Sequence, residues 1–153
     1  MSTSRFAGPI WSLFRVVVGL LFALHGAASV FGFFGGNQGK GAVEVGQWPG
    51  WYAGVIQLVC GVLVLAGLFT TPAAVLASGS MAYAYFAVHQ EQALLPMRNG
   101  GEQAALFAWA FLAIAALGAG PWSADALLRG RSKAGPVDNS AEPADDKQAA
   151  ATA

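Results

Sequence analysis

What this sequence has least of is charge. Its 153 residues include eight basic and eight acidic side chains, which gives a formal net charge of zero and a charged fraction of 10%. Soluble domains carry about 25% charged residues, so water is a poor candidate for the main solvent of this chain. The chain has no basic excess for a phosphate backbone, and we therefore expect no nucleic-acid partner.

Cysteine is almost absent as well. The single cysteine, Cys60, can form neither an intrachain disulfide nor a paired-thiol redox relay. One thiol is also too few for a zinc or iron–sulfur site, so the sequence predicts no metal centre. Any redox chemistry would have to come from a bound cofactor.

Apolar residues are abundant instead, at 56% of the chain, and they occur in long uncharged runs. No Asp, Glu, Lys or Arg occurs over residues 45–90 or over residues 103–124. At about 1.5 Å per helical residue, these runs are long enough to cross a hydrocarbon core roughly 30 Å thick three times. Pro72 separates two of the spans, because proline is tolerated in the first turn of a helix and disfavoured in its interior.

A further span precedes these three. Residues 15–29, RVVVGLLFALHGAAS, are also typical of a cleavable signal peptide. Apolar residues continue to Phe34, however, and the later spans require a membrane in any case. We therefore predict an all-α membrane protein, a four-transmembrane-helix bundle that occupies residues 1–133. The predicted spans cover about residues 10–33, 51–69, 72–89 and 103–120.

The distribution of Lys and Arg predicts the orientation of this bundle. With the N-terminus inside, the cytoplasmic ends hold Arg5, Arg15 and the basic cluster RGRSK at residues 129–133. The outer loops hold only Lys40 and Arg98, so both termini are predicted to be cytoplasmic. We expect the long side chain of Arg15 to return its guanidinium to the lipid headgroups. Residues 134–153 are small and acidic with no aromatic side chain, which predicts a disordered cytoplasmic tail.

Residues three and four apart share a helix face, so the inward faces can be predicted. The predicted face of the first helix comprises Val18, Phe22, His25, Ser29 and Gly32, and that of the fourth comprises Glu102, Ala105, Trp109 and Leu112. On the second helix Gly50, Gly54, Gln57 and Gly61 share a face, and its small residues permit close backbone approach.

The few polar side chains inside the spans recur at helical spacing. Because the helices run alternately outward and inward, these side chains all fall in the outer half of the bundle. Polar groups are costly in lipid unless they face protein or water, so we predict that they share one pocket near the outer surface. The predicted pocket residues are His25, Ser29, Gln57, Tyr85, His89 and Glu102. The polar stretch at residues 89–102, HQEQALLPMRNGGE, would be an external hairpin with its two end residues pointing inward.

Several segments resemble the DoxX family of small bacterial membrane proteins. They are HGAASVFGFFGG (25–36), GVLVLAGLFTTPAA (61–74), MAYAYFAVH (81–89), NGGEQAAL (99–106) and GPWSADALL (120–128). The resemblance covers roughly residues 12–129. It implies a four-helix, multi-pass protein of the bacterial inner (cytoplasmic) membrane, similar to the membrane subunit of thiosulfate:quinone oxidoreductase. It also implies that members associate in some bacteria with membrane oxidoreductase or redox-homeostasis complexes.

The family's polar positions carry over one by one. The matching residues are His25-Gly26, His89 and Gly101-Glu102. Two positions depart from the family: Ser29 stands where Lys is frequent, and Gln57 stands where Glu is frequent. Both departures remove a charge, which puts in doubt any proton-transfer role that such a Lys–Glu pair would have.

These observations leave several functions open. The favoured one is an accessory subunit of a larger membrane oxidoreductase or respiratory complex, whose polar cluster joins its own helices and whose partners are the lipid bilayer and protein subunits or a second copy. The alternative is a quinone-binding redox subunit of a quinone-linked oxidoreductase, in which His25 or His89 bonds a quinone carbonyl and Glu102 exchanges the proton. Of these two functions only the second involves a cofactor, a quinone, and no catalytic residue is assigned.

Two further functions are less favoured. In the first, His25 and His89 would ligate a haem, although their different depths do not suit facing axial ligands. In the second, the protein would transport a small solute, although no pair of broken helices is visible.

Overall fold

The computed structural model describes residues 6–36 and 39–133, with side chains to residue 128. It is all-helical in this part of the chain, as predicted. The helices are Ala7–Phe31 (α1), Gly50–Ala66 (α2), Thr70–Ala84 (α3), Pro96–Asn99 (α4), Glu102–Leu117 (α5) and Ala124–Lys133 (α6). Short α4 and terminal α6 were not predicted. The predicted tail, residues 134–153, lies outside the described residues.

The long helices follow the apolar runs of the sequence. Among the described residues, α1 is the one helix long and apolar enough to cross a membrane, whereas α2 and α5 are shorter apolar helices of 17 and 16 residues. α3 has 15 residues and continues into a π-helical turn at Tyr85–His89. The number of spans and the sidedness of the termini stay predictions.

α1 and α2 pack through their backbones. A Cβ on Gly26 would lie 2.2 Å from the amide nitrogen of Leu58, and a Cβ on Gly61 would lie 2.5 Å from that of Ala23. No larger residue fits at either position, so the prediction that small residues on α2 permit close approach is confirmed. We call this contact the glycine seam, which comprises Gly19, Gly26, Gly54 and Gly61.

α3 and α5 form a second pair. Ser78 on α3 donates a hydrogen bond to the main-chain oxygen of Ala108, at 2.8 Å. The two pairs meet in the core, where the ring centroids of Phe22 and Phe111 lie 4.5 Å apart. Beyond these rings the pairs separate, and a cavity opens between them.

The inward face of α5 differs from the predicted one. The predicted face comprised Glu102, Ala105, Trp109 and Leu112. The structure instead buries Ala104, Phe111 and Ile114, and Trp109 is 72% exposed. α5 is apolar on all sides, so its hydrophobic pattern carried no signal for its rotation.

The end of the bundle remote from the cavity is closed around Arg15, whose exposed fraction is 1%. Its guanidinium donates to the main-chain oxygens of Ala119 at 2.8 Å, Leu65 at 2.7 Å and Trp122 at 2.5 Å, and also to that of Val64. The expectation that this group reaches the headgroups is therefore wrong. The last carbonyls of a helix lack helical partners and carry a partial negative charge, and here the C-terminus of α2 offers them to the cation.

Asp125 on α6 completes this closed end, which we call the Arg15 end. Its carboxylate accepts hydrogen bonds from the amides of Phe69 and Thr70, both at 3.0 Å. α3 therefore begins at Thr70, two residues before the predicted Pro72, because a distant carboxylate caps it. Ser123 caps α6 in turn, accepting from the amide of Ala126 at 3.2 Å.

Candidate functional site

A cavity of about 430 Å³ lies between the two helix pairs, at the end of the bundle opposite Arg15. All four long helices and the segment before α2 contribute to its wall. Buried apolar side chains, including those of Phe22 and Met81, form its deep part, and the exposed rings of Trp48, Tyr52 and Tyr83 lie at its rim. The volume is in the usual range of small-molecule sites.

The cavity is uncharged. None of the described residues that line it is Asp, Glu, Lys or Arg. Within the described ranges there is also no group of three or more His, Cys, Asp or Glu side chains able to hold a metal ion. A buried ion without a partner is costly, so the wall suits an uncharged molecule.

Four of the six predicted pocket residues line this cavity, namely His25, Ser29, Gln57 and His89. Tyr85 and Glu102 do not. The Tyr85 hydroxyl donates to the main-chain oxygen of Leu94, at 3.4 Å. Whether any of these side chains binds a ligand stays a prediction.

His25 uses both of its ring nitrogens within the protein. Nδ1 lies 3.0 Å from the main-chain oxygen of Leu21, and since a carbonyl only accepts, Nδ1 carries the proton. Nε2 is then an acceptor, and it receives a hydrogen bond of 2.7 Å from the side-chain nitrogen of Gln103. The pair joins α1 to α5. With neither nitrogen left over, the geometry does not favour His25 as an axial haem ligand.

Gln103 was missed by the sequence analysis, which assigned its neighbour Glu102 to the pocket. Consecutive residues of an α-helix point about 100° apart, so the error in the predicted rotation of α5 assigned Glu102, and not Gln103, to the cavity. Glu102 is exposed and lies with Pro96 and Trp109 on the outer surface of the bundle, so its predicted inward direction is wrong. As the first residue of α5, its carboxylate is favoured by the helix dipole.

His89 ends the π-helical turn, in which the amide of Gln90 donates to the oxygen of Tyr85 at 2.9 Å. Such wide turns are frequent at functional sites. Nδ1 of His89 lies 3.0 Å from the main-chain oxygen of Asn99 and therefore carries the proton. Nε2 makes no hydrogen bond to the described residues, so His89, which lines the cavity, keeps one unbonded acceptor.

Asn99, which the sequence analysis did not select, positions His89. Its exposed fraction is 4%. Its side-chain nitrogen donates to the oxygen of Ala93 at 2.8 Å, and its side-chain oxygen accepts from the amide of Gly101 at 2.7 Å. The loop is thus fixed at the carbonyl that holds His89. Asn followed by two glycines is a turn signal that could have indicated this role.

Ser29 and Gln57 occupy the positions at which the sequence departs from the resembled family. Ser29 is 7% exposed and Gln57 is half-buried. Neither side chain makes a hydrogen bond to another described residue. Ser29 and Gln57 are therefore not hydrogen-bonded to each other in place of the Lys–Glu ion pair of the family. The side-chain oxygen and nitrogen of Gln57, a residue of the cavity wall, are thus both without a partner among the described residues.

Comparisons with known proteins place these features in context. A family model described as DoxX matches residues 10–90, which include five of the six predicted pocket residues. A protein of Haemophilus influenzae, described as an uncharacterized protein, is 41% identical over 115 residues. This match covers 72% of the chain and 84% of the relative. No solved structure matches the chain significantly.

Proposed function

Because this chain belongs to the DoxX family, we propose that it is an integral membrane protein whose cavity binds an uncharged molecule of the quinone class. In this proposal α1, α2, α3 and α5 span the bacterial inner membrane, and both termini are cytoplasmic. If the protein takes part in catalysis, it does so as the quinone-binding subunit of an oxidoreductase.

The outer surface supports a hydrocarbon environment. The four long helices contain two charged residues: Arg15, which is buried, and Glu102, which begins α5. Large apolar side chains are exposed around the bundle, among them Leu13, Val17, Leu20, Val59, Val62, Val75, Leu106, Trp109 and Leu112. An apolar surface of this extent would be unfavourable in water and is favourable against acyl chains.

The cavity is the observation that supports a quinone as the class of ligand. A quinone has a flat apolar ring with hydrogen-bonding oxygens on opposite sides. The deep wall offers apolar and aromatic contact through Phe22 and Phe107, whose ring centroids lie 5.2 Å apart. The polar groups around it lie on three different elements: the Gln57 side chain has both a donor and an acceptor, and His89 and Gln103 provide acceptors. An uncharged wall with a few convergent polar groups is the usual form of such a site.

Binding of a decyl-substituted benzoquinone to the protein in nanodiscs tests this function. Quenching of tryptophan fluorescence, with Trp48 at the rim, should saturate in the wild type. Ala53→Phe places a ring inside the cavity and should weaken binding at least about tenfold by steric exclusion of the ligand. Ala66→Phe makes the same change at an exposed position of α2 and is the control. Wild-type protein without saturable binding, or an Ala53→Phe variant that binds normally, would contradict the proposal.

A second candidate is an accessory subunit of a larger membrane oxidoreductase complex. The hydrogen bond between His25 and Gln103 favours it, because this part of the polar group already joins α1 to α5 without a ligand. The apolar outer face of α5 would then contact a partner subunit or a second copy. Affinity purification in a mild detergent tests this candidate: a partner in stoichiometric amount supports it, and recovery as a lone monomer counts against it.

A further inference from the structure

Two residues of the cavity wall, His89 as the neutral imidazole and Gln103, each carry a side-chain atom that can only accept hydrogen bonds. Nε2 of His89 is one, since Nδ1 donates to the oxygen of Asn99. The side-chain oxygen of Gln103 is the other, since its amide nitrogen donates to His25. Both residues line the cavity, His89 before and Gln103 after the loop that leads into α5.

The acceptor at His89 is fixed by its surroundings. Moving the proton from Nδ1 to Nε2 would place a nitrogen lone pair 3.0 Å from a carbonyl oxygen, where the two would repel. The carbonyl cannot turn away, because both polar atoms of the buried Asn99 side chain hold the loop. His89, a residue of the cavity wall, is therefore held with Nδ1 as the donor and Nε2 as the acceptor.

We propose that the ligand donates an O–H hydrogen bond to Nε2 of His89, and that the cavity consequently prefers the reduced hydroquinone to the oxidised quinone. This inference rests on the proposed function and deepens it. A hydroquinone carries two hydroxyl donors, whereas a quinone carries two carbonyl oxygens, which accept only. A carbonyl opposite Nε2 would leave two acceptors facing each other in an apolar wall. His89 is then the residue that sets specificity between the two forms, and Asn99 is its positioning residue.

The test compares the affinities of the decyl-substituted hydroquinone and of its quinone, measured without oxygen on the protein in nanodiscs. Wild-type protein should bind the hydroquinone roughly fivefold more tightly or better, the effect of one satisfied against one unsatisfied hydrogen bond. His89→Gln provides both a donor and an acceptor, so the ratio of affinities should fall to about one. Gln92→Ala, at an exposed position outside the cavity, should keep the wild-type ratio.

A measurement on the wild-type protein covers the case in which His89→Gln fails to fold. With ¹⁵N-labelled histidine, the Nε2 resonance of His89 should be that of an unprotonated nitrogen. It should shift when the hydroquinone is added and stay unchanged with the quinone. Equal affinities for the two forms, or tighter binding of the quinone, would overturn this inference while leaving the proposed function intact. Absence of saturable binding for both forms would overturn the proposed function and this inference together.

Discussion

The two ends of the bundle treat their few polar groups in opposite ways. At the Arg15 end, the guanidinium meets four carbonyl oxygens and the Asp125 carboxylate caps α3. Of the described buried side-chain atoms, only the hydroxyl of Thr70 lacks a partner there. At the cavity end, Ser29, Gln57 and Nε2 of His89 make no hydrogen bond to a described residue. Bonded polar groups hold a fold together, and unbonded ones are available to a ligand.

Arg15→Met should give the largest loss of stability, and it would sharpen the contrast between the two ends of the bundle. It removes the donor from four carbonyl oxygens in buried or part-buried hydrogen bonds, so the free energy of unfolding should fall by about 3–5 kcal/mol. Thermal unfolding in detergent measures the loss, and Arg98→Met, at an exposed arginine, should change little. At a temperature where the variant is folded, its affinity for the benzoquinone should equal that of the wild type. A variant with wild-type stability would remove the contrast between the ends.

Gly101→Ala should weaken the contrast between the two ends, because a change at the cavity end should here lower both the stability of the protein and its affinity for the ligand. A Cβ at this position would lie 2.8 Å from Cδ2 of Tyr85 and 2.9 Å from Cβ of His89. Overpacking of this kind costs about 2 kcal/mol and should displace His89, so ligand affinity should fall as well. Gly79→Ala is the matched control: a Cβ there meets nothing within 4 Å, and helix propensity predicts a small gain in stability. Equal unfolding temperatures for the two variants would refute this expectation.

Asp125→Ala should have a smaller effect at the Arg15 end. It removes the cap from the first turn of α3, which is worth about 1 kcal/mol. Asp125→Asn, which keeps one acceptor oxygen, should lose less. Chemical denaturation of both variants, with the exposed Glu91→Ala as control, measures the order of stabilities. An asparagine variant less stable than the alanine variant would contradict the capping role.

Gln103→Leu should give the smallest change in stability, about 0.5 kcal/mol, because the bond that it removes is exposed. The same change takes one of the two fixed acceptors from the cavity, so hydroquinone affinity should fall measurably. Paired unfolding and binding measurements separate the two effects. A loss of stability comparable to that of Arg15→Met would show that His25 and Gln103 are chiefly structural.

The helices were predictable because uncharged runs mark them in the sequence. These runs, bounded by charged residues and divided at Pro72, located four long helices to within a few residues. On α1, three of the five residues of the predicted face are buried, namely Val18, Phe22 and Ser29, and His25 lines the cavity.

The rest depended on contacts between distant parts of the chain. α5 is apolar on every side, so nothing local distinguished Gln103 from Glu102 as the inward residue. Arg15 is bound by main-chain oxygens, which every residue carries and no sequence pattern marks. α6 did carry a local signal, since Ser123 two residues before an acidic side chain is typical of a helix start.

The glycine seam decides which part of the bundle can move. With backbones already touching at Gly26 and Gly61, α1 and α2 cannot approach further, and Arg15 ties their common end to the chain after α5. α3 and α5 meet this fixed frame through side chains, which slide more easily than backbones in contact. Any change in the width of the cavity is therefore expected to come from α3 and α5, while α1 and α2 keep their spacing.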